Sequence, residues 1–252
     1  MNNWWFINDI CLQLRDSVSR YTLSSSMMIT HYFFIKKDYL EYDRYLICVS
    51  ALFLASKIHN EHKSIDYFVL AYSKAMNRIK EIATDPPLLP EEKEKLTNSI
   101  IAYELVIIKE MFEKEGTLIG NDVLSYKYIH EYVRLLFHES VHQTLLVYST
   151  SYLNDWYFTL APLLYDEKAM ALAWVLLASR QNGVNISRID EAKWYRSIHK
   201  YWDFDDVVEW LKILTNFYIG LMEKHGKKEN EQQWKEEEKD EEKEPTLGEQ
   251  IV

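Results

Sequence analysis

Eight histidines and two cysteines are the side chains of this 252-residue sequence best suited to metal or acid–base chemistry. His59 and His62 stand three apart, and His138 and His142 four apart, spacings that set two imidazoles on one helix face, as a zinc site requires. Neither pair belongs to an H-E-x-x-H arrangement, so both read as surface histidines. His130 beside Glu131 is equally unspecific. Cys11 and Cys48 lie in apolar periodic segments and read as reduced core residues, not as a disulfide framework or a zinc site. The sequence contains no G-x-G-x-x-G, no phosphate loop and no nucleophile elbow. No metal and no cofactor are therefore expected, and a catalytic role is not.

The elements that carry these residues read as helices. Only six Gly and five Pro occur, too few for a many-turned β protein. With 48% apolar residues, one large domain or two small ones can bury a sizeable core. Periodicity predicts helices over Trp4–Ser19, from Ser24 through Phe34, Tyr42–Ile58, Ser64–Thr84 and Pro90–Glu113. Pro90 followed by two glutamates suits a helix start, with a preset φ and acids at the positive dipole end. The pattern restarts after Gly116 and Gly120, with helices at Asp122–Phe137, Val141–Phe158, Asp166–Gln181, Glu191–Trp202 and Phe204–Lys224. The segment Leu46–Ala55 is apolar on all sides, which places it inside a bundle, and it is too short to span a bilayer.

The net charge of −10 is uneven. Residues 226–252 include a long acidic run that buries too little apolar surface to offset its ordering entropy, so they read as a disordered tail. A helical extension of the last helix is the competing reading. The remaining body is only mildly acidic and offers no basic face for nucleic acid. With no signal-peptide layout at the start, the chain reads as soluble and intracellular.

The second half echoes the first. Leu52-Phe53-Leu54-Ala55-Ser56-Lys57 reads against Val175-Leu176-Leu177-Ala178-Ser179-Arg180 at an offset of 123 residues, and Tyr42-Asp43 against Tyr165-Asp166 at the same offset. An irregular bundle without duplication is the alternative. Two five-helix repeats are expected, over 1–117 and 118–225.

These segments carry a family resemblance. Ala51 to Ile58 resembles the most recognisable segment of the first cyclin box. Thr22-Leu23, His31 to Phe34 and Arg44-Tyr45 resemble the second helix and third-helix start of transcription-type cyclins, and Tyr103 to Ile108 the fifth helix. In the second repeat Tyr152 to Asp155, Leu163 to Tyr165 and Ala169 to Arg180 follow the same pattern. Several of these runs look closest to cyclin H, whereas Lys193-Trp194-Tyr195 is similar to cyclins C, K and T. The resemblance covers roughly residues 4 to 224. It implies an all-α fold of two tandem cyclin boxes and a non-catalytic regulatory subunit of a cyclin-dependent kinase, with a kinase partner and a third assembly subunit in a nuclear complex linked to RNA polymerase II. It implies no direct nucleic-acid or membrane contact.

The same resemblance nominates a kinase-facing surface. Lys57 and Glu104 match a Lys and a Glu that pair there. Phe53, Ile58, Tyr103, Ile107, Ile108 and Met111 are its apolar candidates, with Phe112 beside the position of a further aromatic. The family's two acids after the lysine are reduced here to Glu61, since His59-Asn60 precede it. The His-Pro expected after the fifth helix is replaced by Asn121-Asp122. The Arg-x-x-x-Leu run of substrate-docking cyclins is not evident around Arg15. Two other readings compete: a cyclin-fold adaptor of the TFIIB type that grips DNA, and an enzyme on an unrelated helical bundle.

Overall fold

A computed structural model describes residues 6–10, 18–61, 63–82, 86–115, 124–186 and 194–220, which form two compact units, 1–191 and 192–252. The regular structure of the described residues is helical throughout, with no strand among them. Cys11, His62, the Asn121-Asp122 corner and the tail from 226 lie outside the described residues.

In the first unit α1 (6–10) buries Phe6, Ile7 and Ile10, and Phe6 meets the rings of Tyr45 and Tyr72 at 4.7 and 5.6 Å. Next, α2 spans Arg20–Lys36, starting four residues before the predicted Ser24. Ser19 is its cap, accepting a hydrogen bond from the Thr22 N–H, a role indistinct in a serine-rich stretch. This helix is buried nearly all round although it is rich in hydroxyls. Two of its core hydroxyls find partners on the helix itself: Ser26 donates to the Leu23 carbonyl and Thr30 to the Ser26 carbonyl.

The third helix, α3 (Arg44–Ile58), is capped by Asp43 and wholly buried from Ile47 to Ser56. Its all-round apolar pattern is met by α2, α4 (Ile65–Ile79) and α5 (Pro90–Glu115), which pack around it. Ser50 donates to the Ile100 carbonyl, tying α3 to α5. Helix α4 ends at Ile79, earlier than the expected Thr84, because Glu81 takes a left-handed φ of 56° and Ile82 N–H bonds back to the Asn77 carbonyl.

The second half repeats the device. Around α8 (Glu167–Gln181) pack α6 (Tyr126–Leu136) and α7 (His142–Tyr157). Helix α8 is buried from Ala169 to Ser179, with Trp174 fully enclosed against Trp156 and Tyr152. A polar seam joins α2 to this half. Ser24 and Tyr126 share a 2.7 Å hydrogen bond, Tyr126 donates to Asn154, and the His31 Nε2 lies 3.2 Å from the Tyr157 carbonyl. Burial pushes the pKa of His31 down to about 4, so the ring is neutral at pH 7.

The second unit contributes α9 (Trp194–Ile198) and α10 (204–220). Helix α9 ends at Ile198, before the predicted Trp202, because 199–203 form a turn and Asp206 accepts from the Asp203 N–H at the start of α10. Trp202 packs between His199 and Trp210, each ring pair 4.8 Å apart.

Candidate functional site

The last turn of α3 and the middle of α5 bring Lys57 and Glu104 together. Along α5, Ile100, Glu104, Ile107 and Met111 form one buried stripe at helical spacing, so a carboxylate occupies a core position. Glu104 is 5% exposed. A carboxylate removed from water needs compensation, and Lys57 supplies it: Nζ donates to both carboxylate oxygens at 2.8 Å. The same Nζ lies 3.9 Å from the Phe53 ring centroid, a cation–π contact. The Lys57 side chain remains 48% exposed. Its ammonium is thus held by a buried anion and an aromatic face while one side is open to solvent, an arrangement that presents a hydrogen-bond donor at a fixed place. Lys57 also sits at the negative end of the α3 dipole, which favours its charge.

The other candidates divide. Ile58, Tyr103 and Ile108 are half-buried and flank the pair. Tyr103 also accepts, at 3.5 Å, from the Asp43 N–H. Ile107 and Met111 lie in the core, at 0% and 2% exposure, and offer no surface; they support Glu104 from its own stripe. Phe53 is 8% exposed and acts through Lys57. Glu61 turns away: both its oxygens accept from the Ser19 N–H at 3.1 Å, because the chain entering α2 presents an unpaired donor there. The side chain of Phe112 lies outside the described residues. Two residues not singled out from sequence belong to the surface: Ile101, 40% exposed, and Leu105, 61% exposed. With Ile108 they follow i, i+4, i+7 spacing on the face of α5 that adjoins the buried stripe, about 100° round the helix. That spacing was a readable signal.

The His138–His142 pair does not converge. His138 Nδ1 accepts from the Ser140 N–H at the start of a 3₁₀ turn, and His142 Nε2 lies 2.9 Å from the Phe137 carbonyl. His59 shares a 2.7 Å hydrogen bond with Ser25. Among the described residues no group of three or more His, Cys, Asp or Glu is placed to hold a metal ion, and no helix is long and apolar enough to cross a membrane. Cys48 is buried and its thiol is pushed well above the usual range by desolvation.

No family model and no curated protein matches the sequence. A solved structure does match in shape: a chain of the yeast RNA Pol II CTD kinase CTDK-1 complex, with a TM-score of 0.64 and 20% identity. The match covers 86% of this chain and 64% of that one, so this chain spans less than two thirds of its neighbour's length. The fold is cyclin-like and all-α.

Proposed function

We propose that this protein is a regulatory subunit of a cyclin-dependent protein kinase and carries no active site of its own. The observation that carries the reading is the Lys57–Glu104 pair, a half-exposed ammonium fixed by a buried carboxylate on a cyclin-like fold. The resemblance of residues 51–58 and 103–108 to the cyclin box supports a kinase-facing role for such a pair. The similarity in shape to a chain of a CTD kinase complex supports a kinase partner in general.

On this reading Lys57 donates to a backbone carbonyl of the kinase, and Ile58, Ile101, Leu105 and Ile108 give it an apolar seat. Binding the active kinase conformation better than the inactive one shifts the population toward the active state; about 1.4 kcal/mol of differential affinity gives each factor of ten. The transcription-type subtype, two boxes divided near 117, a third assembly subunit and a nuclear location belong to the same proposal.

The test is a pull-down from the source organism followed by reconstitution. A cyclin-dependent kinase recovered in near-equal amount, whose activity rises on adding this chain, is the expected result. Full activation by the Lys57→Ala, Glu104→Ala double variant would overturn the site. Failure to recover or activate any such kinase would overturn the function.

A further inference from the structure

At the offset of 123 residues α7 corresponds to α2, so Ser24, Ser25 and Met28 correspond to Val147, Tyr148 and Ser151. On α2 this face is covered, and all three residues are buried. What covers it is helical. Tyr126, at the start of α6, shares the 2.7 Å hydrogen bond with Ser24 and meets the Tyr21 ring at 5.1 Å. Helix α7 itself packs on α2, with its Tyr157 carbonyl 3.2 Å from His31 Nε2. On α7 the same face is open. Val147 is 55% and Tyr148 43% exposed, with Thr144 and Ser151 exposed beside them.

Composition runs opposite to exposure. The covered face carries two serines where the open face carries valine and tyrosine. From Gln143 to Asn154 α7 has no charged side chain, whereas a solvent-facing helix stripe ordinarily carries several. Depletion of charge around an exposed tyrosine is the composition of an interface core. The aromatic ridge is also held in place. Tyr148 lies 6.3 Å from Tyr152, and Tyr152 rests 6.0 Å from the buried Trp174 and donates to Gln181 at the end of α8.

Three observations define the occupant. The stripe holds no cation for a phosphate, a nucleic acid or an anionic lipid surface. From Thr144 to Asp155 it is about 16 Å long and one helix, about 10 Å, wide. That footprint is far below the roughly 800 Å² per partner of a stable protein pair, so it does not hold a second copy of this chain. The corresponding face of α2 already takes helices in this molecule, which shows the scaffold's geometry at this position accepting one.

We propose that the outward face of α7, formed by Thr144, Val147, Tyr148 and Ser151, docks a single amphipathic helix of a partner polypeptide. The apolar stripe of that helix seats on Val147 and Tyr148, and the small Ser151 leaves room between them for one of its large side chains. This site lies on the second half of the fold and does not depend on the kinase reading of Lys57.

The probe is a fluorescein-labelled peptide of Leu, Ala, Glu and Lys, about 18 residues long to sustain a helix, with leucines at i, i+3, i+4 and i+7. It is titrated with the full chain by fluorescence anisotropy. The expected result is saturable binding, at least about tenfold weaker in the Val147→Glu, Tyr148→Glu double variant. Leu70→Glu, at a leucine 53% exposed on α4, is expected to leave binding unchanged. A peptide of the same composition with leucines at alternate positions, and a proline-rich peptide, are each expected to bind at least about tenfold more weakly. Sedimentation equilibrium of the chain alone is expected to show a monomer. No binding at millimolar peptide, equal binding by the double variant, or an equal loss in Leu70→Glu overturns the proposal. So does equal or tighter binding of the alternating or proline-rich peptide, or a dimer that the double variant abolishes. Because Val147 and Tyr148 are exposed, circular dichroism is expected to report an unchanged fold in the variants.

Discussion

Helices α3 and α8 are the same device built twice, and only one of them carries the candidate site. At an offset of 123 residues their details coincide. Asp43 and Asp166 each accept from two N–H groups of the first turn. The hydroxyls of Ser56 and Ser179 donate to the carbonyls of Phe53 and Leu176. Each helix ends with a left-handed residue, Asn60 at φ 57° and Gly183 at φ 64°, followed by a return hydrogen bond from Glu61 to Ser56 and from Val184 to Ser179.

The cations after the serines differ in what they meet. Lys57 has Phe53 beneath it and a buried Glu104 in front of it. Arg180 is exposed, has Leu176 in place of the aromatic, and makes no ion pair among the described residues. A cation at the C-terminus is therefore common to both helices, and a neighbouring helix gives one copy a buried acid.

The largest effect expected on this comparison is in the cores. Ala51 of α3 corresponds to Trp174 of α8, both fully buried, so one helix admits close neighbours where the other fills space with a ring. Trp174→Ala is expected to cost about 3–5 kcal/mol in urea unfolding. A loss below about 1 kcal/mol would mean that the second core does not depend on that ring.

Next in size is a pH effect confined to the first half. His31 corresponds at the same offset to Asn154, which does not titrate. The folded pKa of His31, about 4, lies below the ordinary 6.5, so its contribution is full above pH 6.5 and is lost as pH falls toward 4, by about 3 kcal/mol. Urea unfolding of wild type and His31→Asn across this range is expected to show a flatter acid limb in the variant. Equal slopes would remove His31 as the cause.

The site itself is tested by the paired cations. With the kinase recovered by pull-down, Lys57→Ala together with Glu104→Ala is expected to lower activation at least about tenfold, about 1.4 kcal/mol. Arg180→Ala is expected to leave activation unchanged and stability within about 0.5 kcal/mol. Equal losses from both would erase the distinction between the two helices.

The smallest effects lie at the helix ends. Gly183→Ala meets open space but a left-handed φ, and is expected to cost about 1 kcal/mol. Asn60→Gly is expected to stabilise by up to about 1 kcal/mol, since glycine takes that φ without strain. Thermal unfolding reads both.

Much of the fold was legible because its signals are local. The limits of α3 and α8 are given by an aspartate cap and an all-round apolar run, both contained within each segment. The start of α2 was not legible, since Ser19 and Ser24 are equally plausible caps until Glu61 is seen closing the chain at Ser19. Within the site, Glu104 stood out in retrospect as the one charge in the stripe Ile100, Ile107, Met111, a pattern visible in sequence. The inward turn of Glu61 was invisible there, because its partner lies 42 residues away.

The sequence by itself determined the helical class, most helix limits, the internal echo and the types of residue able to meet a partner. These depend on interactions within a few residues along the chain, where spacing alone places side chains on a face. Only the tertiary structure decided which cation acquires an acid. Lys57 and Glu104 are 47 residues apart, and their contact depends on how α5 crosses α3, which the packing of both helices sets together. The same reason separates Lys57 from Arg180.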